Sequence, residues 1–219
     1  MKKGLVDFDW QRSNEYSQEE ISYFLFLEGK TMEAICKIRN LDNTIVQKHI
    51  IDGKIKYRFL VKSNDPSELF KSIAGAGKED KICFLNSIGE DNKNKLTKLI
   101  KTSYADMFPK DKEAAVWILG ELKEASCLDI LIKASVNKSI NIRRMAVSAM
   151  GKMGDNRAEV ALLRALGDEN PQVISYAIKS LGKIKSEKAI TKIKYLYENT
   201  EKKYIIDAAG DFLLLMEQK

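Results

Sequence analysis

The 219-residue chain has a single histidine, His49, and three cysteines, Cys36, Cys83 and Cys127. A Ser/His/Asp triad would have to use His49, which stands far from any nucleophile-elbow motif. No His/Cys/carboxylate cluster has the spacing of metal ligands, so neither a metal nor another cofactor is expected. The cysteines stand singly, with no Cys-x-x-Cys pair, which excludes a zinc ribbon and a disulfide framework. They read as three small buried apolar side chains. A Walker A loop is missing as well, and with it any recognisable ATP-hydrolysing site. These absences predict a protein that is not an enzyme.

Long apolar runs are also missing. None approaches the ~18 residues of a membrane span. Asp7 and Asp9 interrupt the hydrophobic stretch that a signal peptide would need. The expectation is a cytoplasmic chain with no membrane partner.

What is present is 44% apolar and 31% charged residues, with a net charge of +6. That balance suits a soluble helical protein of one or two domains. The charge is unevenly placed. Residues 1–33 carry four Lys/Arg against seven Asp/Glu, whereas residues 37–62 carry seven against two. A local positive excess of this kind is an electrostatic footprint for phosphate.

The strongest signal is a repeat. Residues 141–168 read NIRRMAVSAMGKMGDNRAEVALLRALGD. Ile142, Met145, Ala146, Ala149 and Met150 follow helical spacing, and Val160, Leu162, Leu163 and Leu166 follow it again after a Gly154-Asp155-Asn156 turn. A shift of 31 residues carries Ala146 onto Ala115, Ala177 and Ala208, and Gly151 onto Gly120 and Gly182. The same shift carries Met150 onto Leu119, Leu181 and Phe212. A helix pair this small cannot bury its own apolar face and must stack on its neighbours. The order Ile142-Arg143, Ala146, Met150-Gly151, Leu163, Asp168 resembles the short HEAT repeat. Four units start near Lys78, Pro109, Ser139 and Asn170, and a half unit runs from Lys202 to the end. The resemblance is weaker in the first unit, where Phe84 replaces the alanine. The Trp-Leu-Gly-Tyr pattern of tetratricopeptide repeats is missing. By the HEAT resemblance, Arg143 and Asp168 form a structural pair, and the second helices line a concave face. That face would carry Lys101, Lys133, Arg164 and Tyr195 as partner-binding residues, with Lys98, Lys192 and Lys194 nearby. A HEAT-like family that excises alkylated bases needs a Trp and an Asp converging on that face. Trp117 falls on a first helix and Trp10 outside the repeats, so this reading stays a minor alternative.

The N-terminal part reads differently. Val6, Phe8 and Trp10 alternate with Asp7 and Asp9, a strand signal. Ser17 and Glu20 form a capping box for a helix over residues 17–27. Thr31 caps a second helix over 32–39, a turn follows at Asn40-Leu41, and Asp42 caps a third helix to about Ile51, stopped by Gly53. Two short helices with a tight turn describe a helix-turn-helix. Cys36 supplies the small side chain where they cross, Asn40 the left-handed turn residue, and Val46 the inward anchor. Asn43, Thr44, Gln47, Lys48 and Ile51 then point outward; Asn and Gln suit adenine edges, and Lys48 suits guanine or phosphate. The stretch around Gly29, Ile35, Arg39, Val46, His49 and Ile50 resembles the helix-turn-helix module near the C-terminus of RecQ-like helicases, with Cys36 for Ala, Asn40 for Gly and Ile45 for a hydroxyl residue. Ile55, Tyr57, Phe59 and Val61 alternate with Lys56, Arg58 and Lys62. That pattern predicts a strand, either a short β wing or a partner for residues 5–10. Lys54, Lys56 and Arg58 join the DNA-binding candidates.

The reading is therefore an all-α chain: a right-handed α-solenoid of about four and a half HEAT repeats (residues 66–219), preceded by a helix-turn-helix domain (residues 1–62). The expected function is a non-enzymatic adaptor, with the helix-turn-helix contacting DNA and the solenoid docking an unknown protein partner. The alternative is a pure protein-interaction scaffold. The apolar stretch Phe212-Leu213-Leu214-Leu215-Met216 adds an expectation of self-association, as a homodimer, or of docking at that end.

Overall fold

The computed structural model describes residues 2–217. The fold is all-α, and the chain divides into two compact units, Met1–Leu96 and Thr97–Lys219.

The first unit opens on a two-stranded hairpin, β1 (Lys2–Lys3) and β2 (Val6–Asp7), turned by Gly4 at φ 61°. Trp10 begins a 3₁₀ turn rather than extending a strand. Helix α1 (Gln18–Leu27) starts at the Ser17/Glu20 capping box, and Gly29 breaks the chain at φ 88°. Helix α2 (Met32–Arg39) is capped by the Thr31 hydroxyl and ends on Asn40 in the left-handed conformation. Helix α3 (Asn43–Lys56) follows after Leu41 and Asp42, and α4 (Arg58–Lys62) continues it across a kink at Tyr57. The core here is Leu25, Ile35, Val46 and Ile50.

Three expectations fail in this region. Residues 55–62 are helical, so there is no β wing here and no strand to pair with residues 5–10. The period-two alternation of Ile55, Tyr57, Phe59 and Val61 is outweighed by a 3.6-residue one: His49, Ile50, Gly53 and Leu60 are buried at helical spacing, while Ile55 is 60% exposed. The two segments still meet, because the Leu5 amide donates to the Leu60 carbonyl oxygen at 2.8 Å. Gly53 does not stop α3. It lies inside the helix, where a β-carbon would sit 2.2 Å from Cγ of Tyr23 on α1. Its missing side chain sets how closely α1 and α3 approach. The cysteines, finally, are not all buried: Cys127 is, Cys36 is half-buried and Cys83 is exposed.

After the break at Ser63, α5 (Pro66–Gly75) begins with Pro66 in its first turn and the Asp65 carboxylate capping its amides. Helices then come in pairs: α6 (Lys78–Ser87) with α7 (Glu90–Ser103), and α8 (Pro109–Leu122) with α9 (Leu128–Ala134). Next come α10 (Ile140–Met153) with α11 (Glu159–Ala165), then α12 (Pro171–Lys183) with α13 (Ile190–Asn199), and last α14 (Lys203–Glu217). These are the four units and a half that the repeat implies. The two compact units part inside α7.

In the second unit the first helices of successive pairs stack on one another: α8 on α10, α10 on α12, α12 on α14. Ala115, Ala146, Ala177 and Ala208 are buried along this seam with Leu119, Met150, Leu181 and Phe212. The glycine of the repeat explains how close the helices come. A β-carbon on Gly120 would lie 2.6 Å from the Ala149 β-carbon, and one on Gly151 would lie 2.3 Å from Ser180 Oγ. Ser180 meets the polar demand of that burial by donating to the Val147 carbonyl at 2.9 Å. Val160, expected inside with Leu162 and Leu166, is instead 75% exposed. Its equivalents 31 residues either side are Asp129 and Thr191, so the position belongs to a polar face. At α14, Phe212 is buried, whereas Leu214 and Leu215 are 59% and 42% exposed.

Candidate functional site

Two surfaces carry the residues singled out by the sequence, one in each unit. In the first unit, α3 is held by its inner face. Val46 and Ile50 enter the core, and His49 packs inside with Nδ1 3.1 Å from the Ser22 hydroxyl. His49 is thus a packing residue. The opposite face is presented outward. Asn43, Thr44, Gln47 and Lys48 are all exposed, on the first two turns of α3, directly after the Asn40 turn. The next turns of that outward face hold Ile51 and Ile55, which are 50% and 60% exposed, and α2 adds Ile38 at 58%. The sequence turns Ile51 outward and suggests a strand at Ile55, but it does not single out Ile38. The signal for Ile51 and Ile55 was their position three and seven residues beyond Lys48, on the same stripe of the helix.

The other basic candidates are engaged within the unit. Lys56 Nζ donates to Glu20 Oε1 at 2.7 Å, and the same oxygen accepts the Tyr57 hydroxyl at 2.6 Å. Burial raises the Glu20 carboxyl's pKa, but the Lys56, Tyr57 and Ser17 donors more than offset it, and the net shift is downward. Burial and the bond to Glu20 both push the Tyr57 phenol upward, so it stays protonated. Arg58 pairs with Asp80 at 2.9 Å. Lys54 lies over the Phe26 ring, 4.9 Å from its centroid. Asn43, Thr44, Gln47 and Lys48 therefore form one exposed group, while Lys56 and Arg58 fasten helices together.

In the second unit the candidate surface is the outer side of the second helices. Lys101, Lys133, Arg164 and Tyr195 are exposed on α7, α9, α11 and α13 in turn, as are Lys98, Lys192 and Lys194. Contacts between consecutive repeats order some of these chains. Lys101 donates to Ser126 Oγ at 2.7 Å, Arg164 to Ser135 Oγ at 3.1 Å, and Lys192 to the Leu163 carbonyl at 3.4 Å.

Arg143 and Asp168 do form a pair. Arg143 Nε and Nη2 reach the two Asp168 oxygens at 2.8 and 3.0 Å, and Nη1 donates to the Asn137 carbonyl at 3.0 Å. Asp168 Oδ1 also accepts the Asn170 amide at 2.8 Å, and Asn170 caps α12. The pair thus links the start of one repeat to the start of the next. Trp117 is half-buried on α8, a first helix.

Comparison with known protein families matches residues 95–163 to HEAT repeats. The matched stretch runs from α7 through α11, so it contains the seam glycines Gly120 and Gly151 as well as Lys101, Lys133 and Arg143. Comparison with curated proteins finds no match. Among the described residues, no helix is long and apolar enough to cross a membrane.

Proposed function

We propose that the chain is a non-catalytic interaction scaffold that joins DNA to a protein partner. In this reading, α2 and α3 act as a helix-turn-helix whose second helix enters the major groove, and the second-helix side of the solenoid docks the protein. The observation that carries the DNA half is the outward group Asn43, Thr44, Gln47 and Lys48 on the first turns of α3. Recognition helices contact base edges with their N-terminal residues. Asn and Gln match adenine edges, and Lys matches guanine or phosphate. The left-handed Asn40 between two helices of 8 and 14 residues fits the module's turn. The HEAT match supports the protein half, since repeats of this kind present extended docking surfaces. A mobility-shift titration of the full chain with a mixed-sequence duplex tests the DNA half. Binding should be seen at about 50 mM salt, fall steeply as salt rises, and weaken in Lys48→Ala. No shift at that salt would remove DNA from the function.

A second reading has its own observation. Ile38, Ile51 and Ile55 are half-exposed or more on α2 and α3, apolar area that suits a protein better than a phosphate backbone. On that reading α3 is a second protein-docking surface. Lys48→Ala would then leave duplex affinity unchanged, and Ile51→Ser would lower partner binding.

A further inference from the structure

Cations of the solenoid unit are held in different ways. At the turns and on the first helices several meet carboxylates: Arg143 with Asp168, Lys152 with Glu121, Arg157 with Asp155, Lys188 with Glu159. Lys112 instead donates to the Ala105 carbonyl, and Arg144 lies over the Tyr176 ring. On the second helices Lys101, Arg164 and Lys192 meet neutral oxygens of an adjacent repeat. Arg164 is held by the Ser135 hydroxyl and Lys192 by the Leu163 carbonyl. Lys101 is held by the Ser126 hydroxyl, which in turn donates to Glu124 at 2.6 Å, so a carboxylate stands close to its charge.

A neutral acceptor fixes the direction of a long side chain without cancelling its charge. The ordering cost is then met before a partner arrives, and the field stays available to it. On the same helices Val160, 75% exposed, stands one turn before Arg164, and Tyr195, 65% exposed, continues the row of Lys133 and Arg164. Charge and apolar area thus share one face, with Asp129 the acidic equivalent of Val160 one repeat earlier. Packed helices lie about 8–10 Å apart, so charges recur at about that interval from repeat to repeat. An extended chain advances about 3.3 Å per residue.

We infer that this face receives an extended acidic protein segment, with a carboxylate at roughly every third residue and apolar side chains between. The inference rests on the scaffold reading and adds the partner's chemistry to it. Carboxylates would meet Lys133, Arg164 and Lys192, and apolar residues would cover Val160 and Tyr195. Nucleic acid is the less fitting occupant. Its phosphates offer no apolar side chain to Val160.

The test uses the full chain and fluorescein-labelled peptides about twelve residues long, built on a Glu-Leu-Ser triplet or on Gln-Leu-Ser. A single-stranded oligothymidylate of similar reach is the phosphate probe. Fluorescence anisotropy should show the Glu peptide binding more tightly than the Gln peptide and the oligonucleotide. Lys133→Glu/Arg164→Glu should weaken it roughly tenfold or more. Lys133→Gln/Arg164→Gln gives a milder loss of the same sign, and an unchanged melting curve shows that the fold is kept. Equal binding of both peptides, lost in Val160→Ser/Tyr195→Ser, would leave the docking face standing and overturn its acidic specificity. Tighter binding of the oligonucleotide through Lys133 and Arg164 would overturn the inference in favour of nucleic acid. No binding of the Glu peptide above the Gln peptide would also overturn it, whatever the duplex titration with Lys48→Ala gives.

Discussion

Glu20 shows how one side chain can decide the behaviour of a unit. It serves the Ser17 capping box through one oxygen, accepting the Ser17 amide at 2.8 Å, and holds Lys56 and Tyr57 through the other. Helix α1 is thereby fixed to the end of α3 by a carboxylate with 17% side-chain exposure. Its folded-state pKa lies below the ordinary value of 4.5. A depressed carboxyl contributes stability that is complete above its unfolded-state pKa and is lost as pH falls through the folded one. Denaturant titrations from about pH 7 down to about pH 3 should therefore show an acid loss in the wild type that is shallower in Glu20→Gln, which has no proton to take up there. Parallel curves for the two proteins would mean that Glu20 is not the linked group. The chemistry of this site was only half legible in the sequence. Ser17 and Glu20 lie three residues apart and announce a cap, but Lys56 and Tyr57 come from 36 and 37 residues downstream. That distance hides Glu20 as the partner of Lys56, and Asp80 as the partner of Arg58, from a local reading.

At the scale of elements, the solenoid was the legible part because its packing is written at a fixed interval. Stacked first helices need a small residue wherever their backbones cross, and Gly120, Gly151 and the alanine series supply it every 31 residues. The stretch at 55–62 was misread because a short apolar alternation fits a strand as well as it fits a helix with one exposed isoleucine. Only the continuation of α3 through Gly53, where the Tyr23 ring leaves no room for a side chain, separates the two. The exposed position of Val160 could have been read from its polar equivalents, Asp129 and Thr191, but hydrophobicity in one repeat alone pointed inward. The repeat of α10 and α11 is tied to the next by Arg143 and Asp168, whose side chains are 9% and 10% exposed. Removing one partner of such a pair leaves the other's charge buried. Arg143→Met should lower unfolding free energy by about 3–5 kcal/mol, and Arg143→Met/Asp168→Leu should recover much of that loss. Urea denaturation of the two single variants and the double variant measures the coupling. A cost below about 1 kcal/mol for Arg143→Met would place the pair with ordinary surface ion pairs and sever the proposed link between repeats.

At the scale of the whole molecule, the division at Leu96 and Thr97 has a thermodynamic consequence. Each unit has its own buried core: Leu25, Ile35, Val46 and Ile50 in the first, the alanine seam with Leu119, Met150 and Leu181 in the second. Chains with separate cores need not melt as one cooperative block. Helix α7, which crosses the division, does not by itself enforce a single transition, because a helix can fray by a turn at small cost when its packing on one side is lost. Scanning calorimetry should resolve two heat-absorption peaks. Gly53→Ala drives a β-carbon into the Tyr23 ring and should shift only the peak of the first unit. Ala146→Leu overfills the junction of α10 with its neighbours, where Ala146 has no exposed surface, and should shift only the other. Each overpacking costs about 1–3 kcal/mol. For units of this size, each kcal/mol lowers the midpoint by about 4–8 °C. Gly53 and Ala146 belong to separate cores, so the double variant should show both shifts unchanged, within about 0.5 kcal/mol of additivity. A single peak that both substitutions move together would mean that the cores unfold as one. In that case an occupant of the α3 face and an occupant of the second-helix face would be thermodynamically linked through the stability they both draw on.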